Sequence, residues 1–125
     1  MATESSAEIE DIREVQQDDG TAVAIANDGT YSAPFDAEPI DTTGVLVELD
    51  TRGKRVLDLA VEGSNTASYA LEASANGSDW FGPYDSFGTT NKIVQTYRLG
   101  ARYVRVVVTE SAGADATASG FLEVS

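Results

Sequence analysis

From Thr21 onward the chain alternates nonpolar and polar residues in short runs, each closed by a turn signal. In Gly44 to Asp50, Val45, Val47 and Leu49 face one side and Glu48 and Asp50 the other. Arg55 to Glu62 repeats the pattern, with Leu57, Leu59 and Val61 inward and Asp58 and Glu62 outward. The charged turn Thr51-Arg52-Gly53-Lys54 lies between these runs, which predicts an antiparallel hairpin. Ala67 to Ala75 sets Tyr69, Leu71, Ala73 and Ala75 against Glu72 and Ser74. In Ala101 to Glu110, Val104, Val106 and Val108 oppose Tyr103, Arg105 and Val107. Thr21 to Ala26, Tyr31 to Phe35, Lys92 to Leu99 and Ala116 to Val124 read as further strands, the second at an edge because of Pro34. Turns fall at Asn27-Asp28-Gly29, Gly63 to Asn65 and Asn76 to Asp79, and Gly82 to Asn91 reads as a loop. About eight strands at this spacing predict an all-β fold, an antiparallel β-sandwich or jelly roll, over residues 21–125.

Residues 1–20 break the pattern. They hold seven acidic residues and one arginine, and Ser5 or Ser6 is placed to cap a short helix. Ile9 and Ile12 would share one face of that helix, with Val15 close by. Two readings stay open: a loose acidic tail, or an arm whose Ile9, Ile12 and Val15 order against a neighbouring subunit.

Charge narrows the classes of partner. There are 21 acidic and 8 basic residues, a net charge of -13. Nucleic acid and anionic membranes are expected to be repelled. Only Lys54 and Lys92 are lysines, and small residues are abundant. In molar salt the screening length falls to about 3 Å, which removes most of the self-repulsion. The composition is similar to that of proteins from salt-in halophiles, especially haloarchaea. Met1 to Gln17 lacks the basic and apolar regions of a signal peptide, so accumulation in the cytoplasm is expected, or exit by a route other than a cleaved signal, such as assembly into a virion.

Candidate chemistry is sparse. The chain has no histidine and no cysteine, the usual general base and the thiolate nucleophile. No carboxylate pair stands out by spacing, and no nucleophile elbow or phosphate-cradling loop is present. The chain is therefore expected not to be an enzyme, and to use no cofactor. Oxygen-rich turns at Asp18-Asp19-Gly20, Asn27-Asp28-Gly29 and Asn76 to Asp79 are explained by turn chemistry, so no metal site is assigned. Trp80, Phe81, Tyr84 and Phe87 lie close together in sequence beside Asp79. They are candidates for stacking on a sugar ring, with Asp79 or Asp85 accepting from its hydroxyls, or for capping the core or filling a subunit interface.

One stretch is more specific. Ser74, Asn76, Gly77 and Trp80, then Ala101-Arg102-Tyr103-Val104-Arg105 and the closing Gly120-Phe121-Leu122-Glu123-Val124, resemble the discoidin-like (coagulation factor 5/8 type C) jelly-roll domain. The resemblance covers about a third of the chain, and the aromatic, basic loops of lipid-binding members are not apparent. Such elements also occur in virion proteins of phages and archaeal viruses. The resemblance implies a structural virion protein of a haloarchaeal tailed virus, a capsid-surface decoration or turret component assembled in the host cytoplasm. Its expected partners are further copies of itself, in a homo-oligomer, and the major capsid protein. The alternative is a carbohydrate-binding or adhesion module that recognises a cell-surface glycan.

Overall fold

The computed structural model describes residues 29–125; the expected arm at 1–20, with Ile9, Ile12 and Val15, and the strand at 21–26 lie outside the described residues. The residues from Ser32 to Val124 form one compact unit. Its elements are all strands: β1 (Tyr31–Pro39), β2 (Gly44–Asp50), β3 (Val56–Ser74), β4 (Phe81–Arg98), β5 (Tyr103–Glu110) and β6 (Thr117–Val124). They form an antiparallel sheet in the order β1-β6-β3-β5-β2, with β4 on β3.

The fold turns on β3, which serves two layers. Its first half, Leu57 to Gly63, pairs with β6 on one side, and Val56 to Glu62 pair with the second half of β4 on the other. Its second half, Ser68 to Ser74, pairs with β5 and with the first half of β4. The register shifts between Glu62 and Ala67, where the strand bends. Gly63 sits at that bend, and a Cβ there would press on Asn65 O, Ile40 Cδ1 and Tyr69 Oη. The inward rows Leu57, Leu59 and Val61, then Tyr69 and Leu71, meet Val104, Val106, Val108, Leu122 and Val124 in the core. Tyr69 is packed so tightly there that its phenol oxygen has no hydrogen-bond partner, and burial raises its pKa.

The all-β antiparallel expectation holds, and the described residues form six strands. Two expected strands, 55–62 and 67–75, are one continuous β3, because the Gly63 to Asn65 segment bends the strand instead of reversing it. Gly82 to Asn91, expected as a loop, is the first part of β4, held by pairing with β3 despite its Gly, Pro and Ser content. The expected hairpin of β2 with the following strand does not form. Thr51 to Lys54 is a tight turn, with Arg52 (φ 54°) and Gly53 (φ 81°) both left-handed. However, buried Thr51 donates from its hydroxyl to Ala101 O (3.0 Å) and Arg102 O (2.9 Å), which fastens the turn to the β4–β5 connection. β2 then pairs with β5, and β3 continues into the other layer. A bulge between Val45 and Val47 also reverses the expected facing of Val45, which is 52% exposed.

Candidate functional site

The hairpin turn between β3 and β4 carries the residues singled out from the sequence, and its own side chains build it. Ser74 Oγ accepts from Gly77 N (2.8 Å) and Asn76 N (3.2 Å). Asn76 Oδ1 accepts from Ser78 N and Asp79 N, both at 2.8 Å. Asn76 Nδ2 donates to Asp79 Oδ2 (2.8 Å), so Asp79 is partly committed inside the turn. Gly77 takes φ 79°, and a Cβ there would rest on the Tyr103 ring, so the turn folds over the outer surface of β5. This network accounts for the Ser-x-Asn-Gly-x-x-Trp spacing by structure alone.

Trp80 follows the turn and packs on a charged side chain. It lies on the outer face, with the Arg105 guanidinium 4.2 Å from its ring centroid. Arg105 in turn donates to Glu72 Oε1 (2.8 Å), its cross-strand neighbour on β3. Beside this stack, Arg102 reaches Asp50 through two bonds, Nε to Oδ1 at 2.6 Å and Nη2 to Oδ2 at 3.0 Å. The hydrogen bond from Arg102 holds the Asp50 carboxyl below its usual range. The ion pairs cover part of the outer face of β3, β5 and β2, which also carries Val45 opposite Val107.

The four aromatics do not form one platform. Phe81 is 70% exposed and borders an open depression of about 450 Å³ lined by Ala75, Asn76, Ser78, Asp79, Trp80 and Phe81. Tyr84 instead packs edge-on to Tyr97 at 6.1 Å between centroids and donates to Arg98 O (3.0 Å). Tyr97 donates to Asp85 Oδ2 (2.7 Å), and its pKa is raised by burial and by that carboxylate. These contacts tie the two halves of β4 together. Phe87 is half-buried opposite Tyr69. Trp80, Phe81 and Asp79 are thus brought together, and Tyr84 and Phe87 are not.

The outer face of the other layer differs. Ala60 on β3 lies opposite Val94 on β4 and opposite Phe121 on β6, so the three form one apolar row across adjacent strands. Val94 is 69% exposed and Phe121 37%. Polar residues border the row: Asp58 accepts from Thr96 Oγ1 (2.7 Å), and Glu123 and Glu62 occupy neighbouring outward positions. Sequence alternation places Ala60 and Phe121 outward, but which strands are neighbours decides that they join Val94. Among the described residues, no group of three or more Asp, Glu, His or Cys is placed to hold a metal ion. No family model, curated protein or solved structure matches the chain.

Proposed function

We propose that the domain works by surface contact, as a structural component of a larger assembly. The observation that carries this is the Val94, Ala60 and Phe121 row, an apolar strip in register across three strands, with Val94 69% and Phe121 37% exposed. Solvated apolar side chains in register across three strands gain free energy when a partner covers them. In its specific form the proposal is a capsid-surface decoration or turret protein of a haloarchaeal tailed virus, self-associating and seated on the shell. The resemblance and the net charge of -13 support that form. So does a count of the shared strands: taking the two halves of β3 and of β4 separately gives eight segments, in keeping with a discoidin-like jelly roll.

Sedimentation of the full chain and of Phe121→Asp in molar KCl tests the reading. Wild type is expected to self-associate, or to bind purified capsid shells, and Phe121→Asp to lose that at unchanged folding. Monomeric wild type that ignores shells would refute it. The halophilic part predicts cooperative loss of folding below several hundred millimolar salt, as the screening length grows from about 3 Å towards 10 Å.

Sugar binding is kept as a second reading because Phe81 stands exposed at the rim of a depression that also presents Ser78 and Asp79. A glycan array probed with wild type and Phe81→Ala separates the two, since only this reading expects saturable binding lost with Phe81.

A further inference from the structure

The second half of β4 has an open edge. Leu99 N donates to Arg55 O (2.6 Å), which fixes the phase of the β3–β4 ladder. By antiparallel alternation, Ile93, Gln95 and Tyr97 turn their backbone groups towards β3, and Lys92, Val94, Thr96 and Arg98 turn theirs away. Two local contacts agree with this phase. Thr90 Oγ1 accepts from Lys92 N (3.2 Å) and donates to Lys92 O (3.0 Å), and Arg98 O accepts from Tyr84 (3.0 Å). Both ends of the edge are thus occupied by the chain's own side chains. Between them the N–H and C=O groups of Val94 and Thr96 face outward, with no strand beyond β4 among the described residues.

The other described edges are poor templates for strand addition. β1 contains Pro34 and Pro39 and a left-handed Ala37 (φ 52°), and β2 is bulged at Val45 to Val47. The first half of β4 carries Pro83 and a register shift. The straight segment around Val94 has none of these devices.

Charge selects the occupant. Lys92 and Arg98 flank the gap six residues apart on the outward face, and neither forms an ion pair among the described residues. Glu62 and Asp58 lie one strand further in, about 5 Å from the edge, and Asp58 is already bonded to Thr96. Two copies of this edge paired about a two-fold axis at Gln95 would set Lys92 against Arg98, so the like charges oppose self-pairing in that centred register. We infer that the Val94–Thr96 edge accepts an extended strand from a different protein, one with acidic residues six apart around an apolar centre. That strand would add its backbone to the ladder, set its carboxylates opposite Lys92 and Arg98, and extend the Val94, Ala60 and Phe121 row. The inference rests on the assembly reading only in taking the partner to be a protein.

The test titrates full-length protein with acetyl-Glu-Thr-Val-Thr-Val-Thr-Glu-amide, labelled for fluorescence polarisation, and with the same peptide ending in Lys. The Glu-ended peptide is expected to bind at least tenfold more tightly, and more weakly as salt is raised. Val94→Pro removes an outward N–H without touching the β3 ladder and is expected to reduce binding at least tenfold. The double variant Lys92→Glu/Arg98→Glu keeps the backbone and is expected to reverse the preference towards the Lys-ended peptide. Equal binding of both peptides, binding of neither, or a double variant with unchanged preference would overturn the inference. So would self-association of wild type that Val94→Pro abolishes, because the edge would then belong to a second copy. Phe121→Asp, two strands away, is expected to retain peptide binding, so loss of shell docking and loss of strand binding are read separately.

Discussion

The two halves of β3 follow the same alternation and share one core, yet their outer faces are finished differently. Beyond Ala67, Glu72 is paired to Arg105, Arg105 lies on Trp80, and the turn at Gly77 rests against Tyr103. Before Gly63, Ala60 lies between two exposed apolar neighbours. Around Glu72 the outer face is covered by long charged side chains that lay their stems on the sheet, whereas around Ala60 hydrocarbon is left in water. The difference shows that exposure at Val94 and Phe121 is not imposed by strand pairing or by a shortage of arginine. The charged side chains cover what they reach, and the Val94, Ala60 and Phe121 row is left available to a partner.

The sharpest way to break the comparison is in the shared core. Leu59→Ala and Leu71→Ala sit on opposite sides of the bend and are both fully buried. Each is expected to cost about 2–5 kcal/mol in denaturant unfolding, by similar amounts if the halves form one core. Gly120→Ala comes next, because a Cβ there would run into the Ala60 carbonyl where β6 lies on β3. It is expected to cost about 1–3 kcal/mol, read as a lower melting temperature. Trp80→Ala should destabilise the closed face by about 1–2 kcal/mol, through lost stacking on Arg105 and lost burial. By contrast Val94→Asp on the open face should stay within about 0.5 kcal/mol of wild type while reducing association.

The smallest effect concerns Asp50 and Arg102, a largely solvated pair whose attraction water screens. Asp50 titrates lower in the folded protein than in the unfolded chain, where its pKa is about 3.9. The pair's contribution is therefore complete above that value and is lost as pH falls through the lowered folded value. Arg102→Ala is expected to lower stability slightly at pH 7 and to flatten its decline as pH falls below about 4.

Inward and outward positions were legible in the sequence because side-chain direction has a period of two. Leu57, Leu59 and Val61, and Val104, Val106 and Val108, lie as alternation demands. Strand partners were not legible. The turn at Arg52 and Gly53 has the local form of a hairpin, but buried Thr51 binds a carbonyl fifty residues away and sends the next strand elsewhere. Gly63 to Asn65 and Gly82 to Asn91 carry turn-forming residues, and long-range pairing overrides them. The same limit applies to the candidate sites. Trp80, Phe81 and Asp79 are close through chain proximity, whereas the Val94, Ala60 and Phe121 row and the open β4 edge exist only once the strand order is known. Ile40 was missed too: it lies in a connection, yet it is fully buried, with Ile40 N bound to Ala116 O (2.9 Å) and Ala112 N bound to Ile40 O (2.9 Å).

Because β3 belongs to both layers, neither layer has an interior of its own to retain when the other opens. Peeling away β6 exposes Leu57 and Leu59, and peeling away β5 exposes Leu71, along a single unbroken backbone. Amide hydrogens from Leu57 to Leu71 should therefore exchange at rates set by one global opening, with no protected subdomain surviving it.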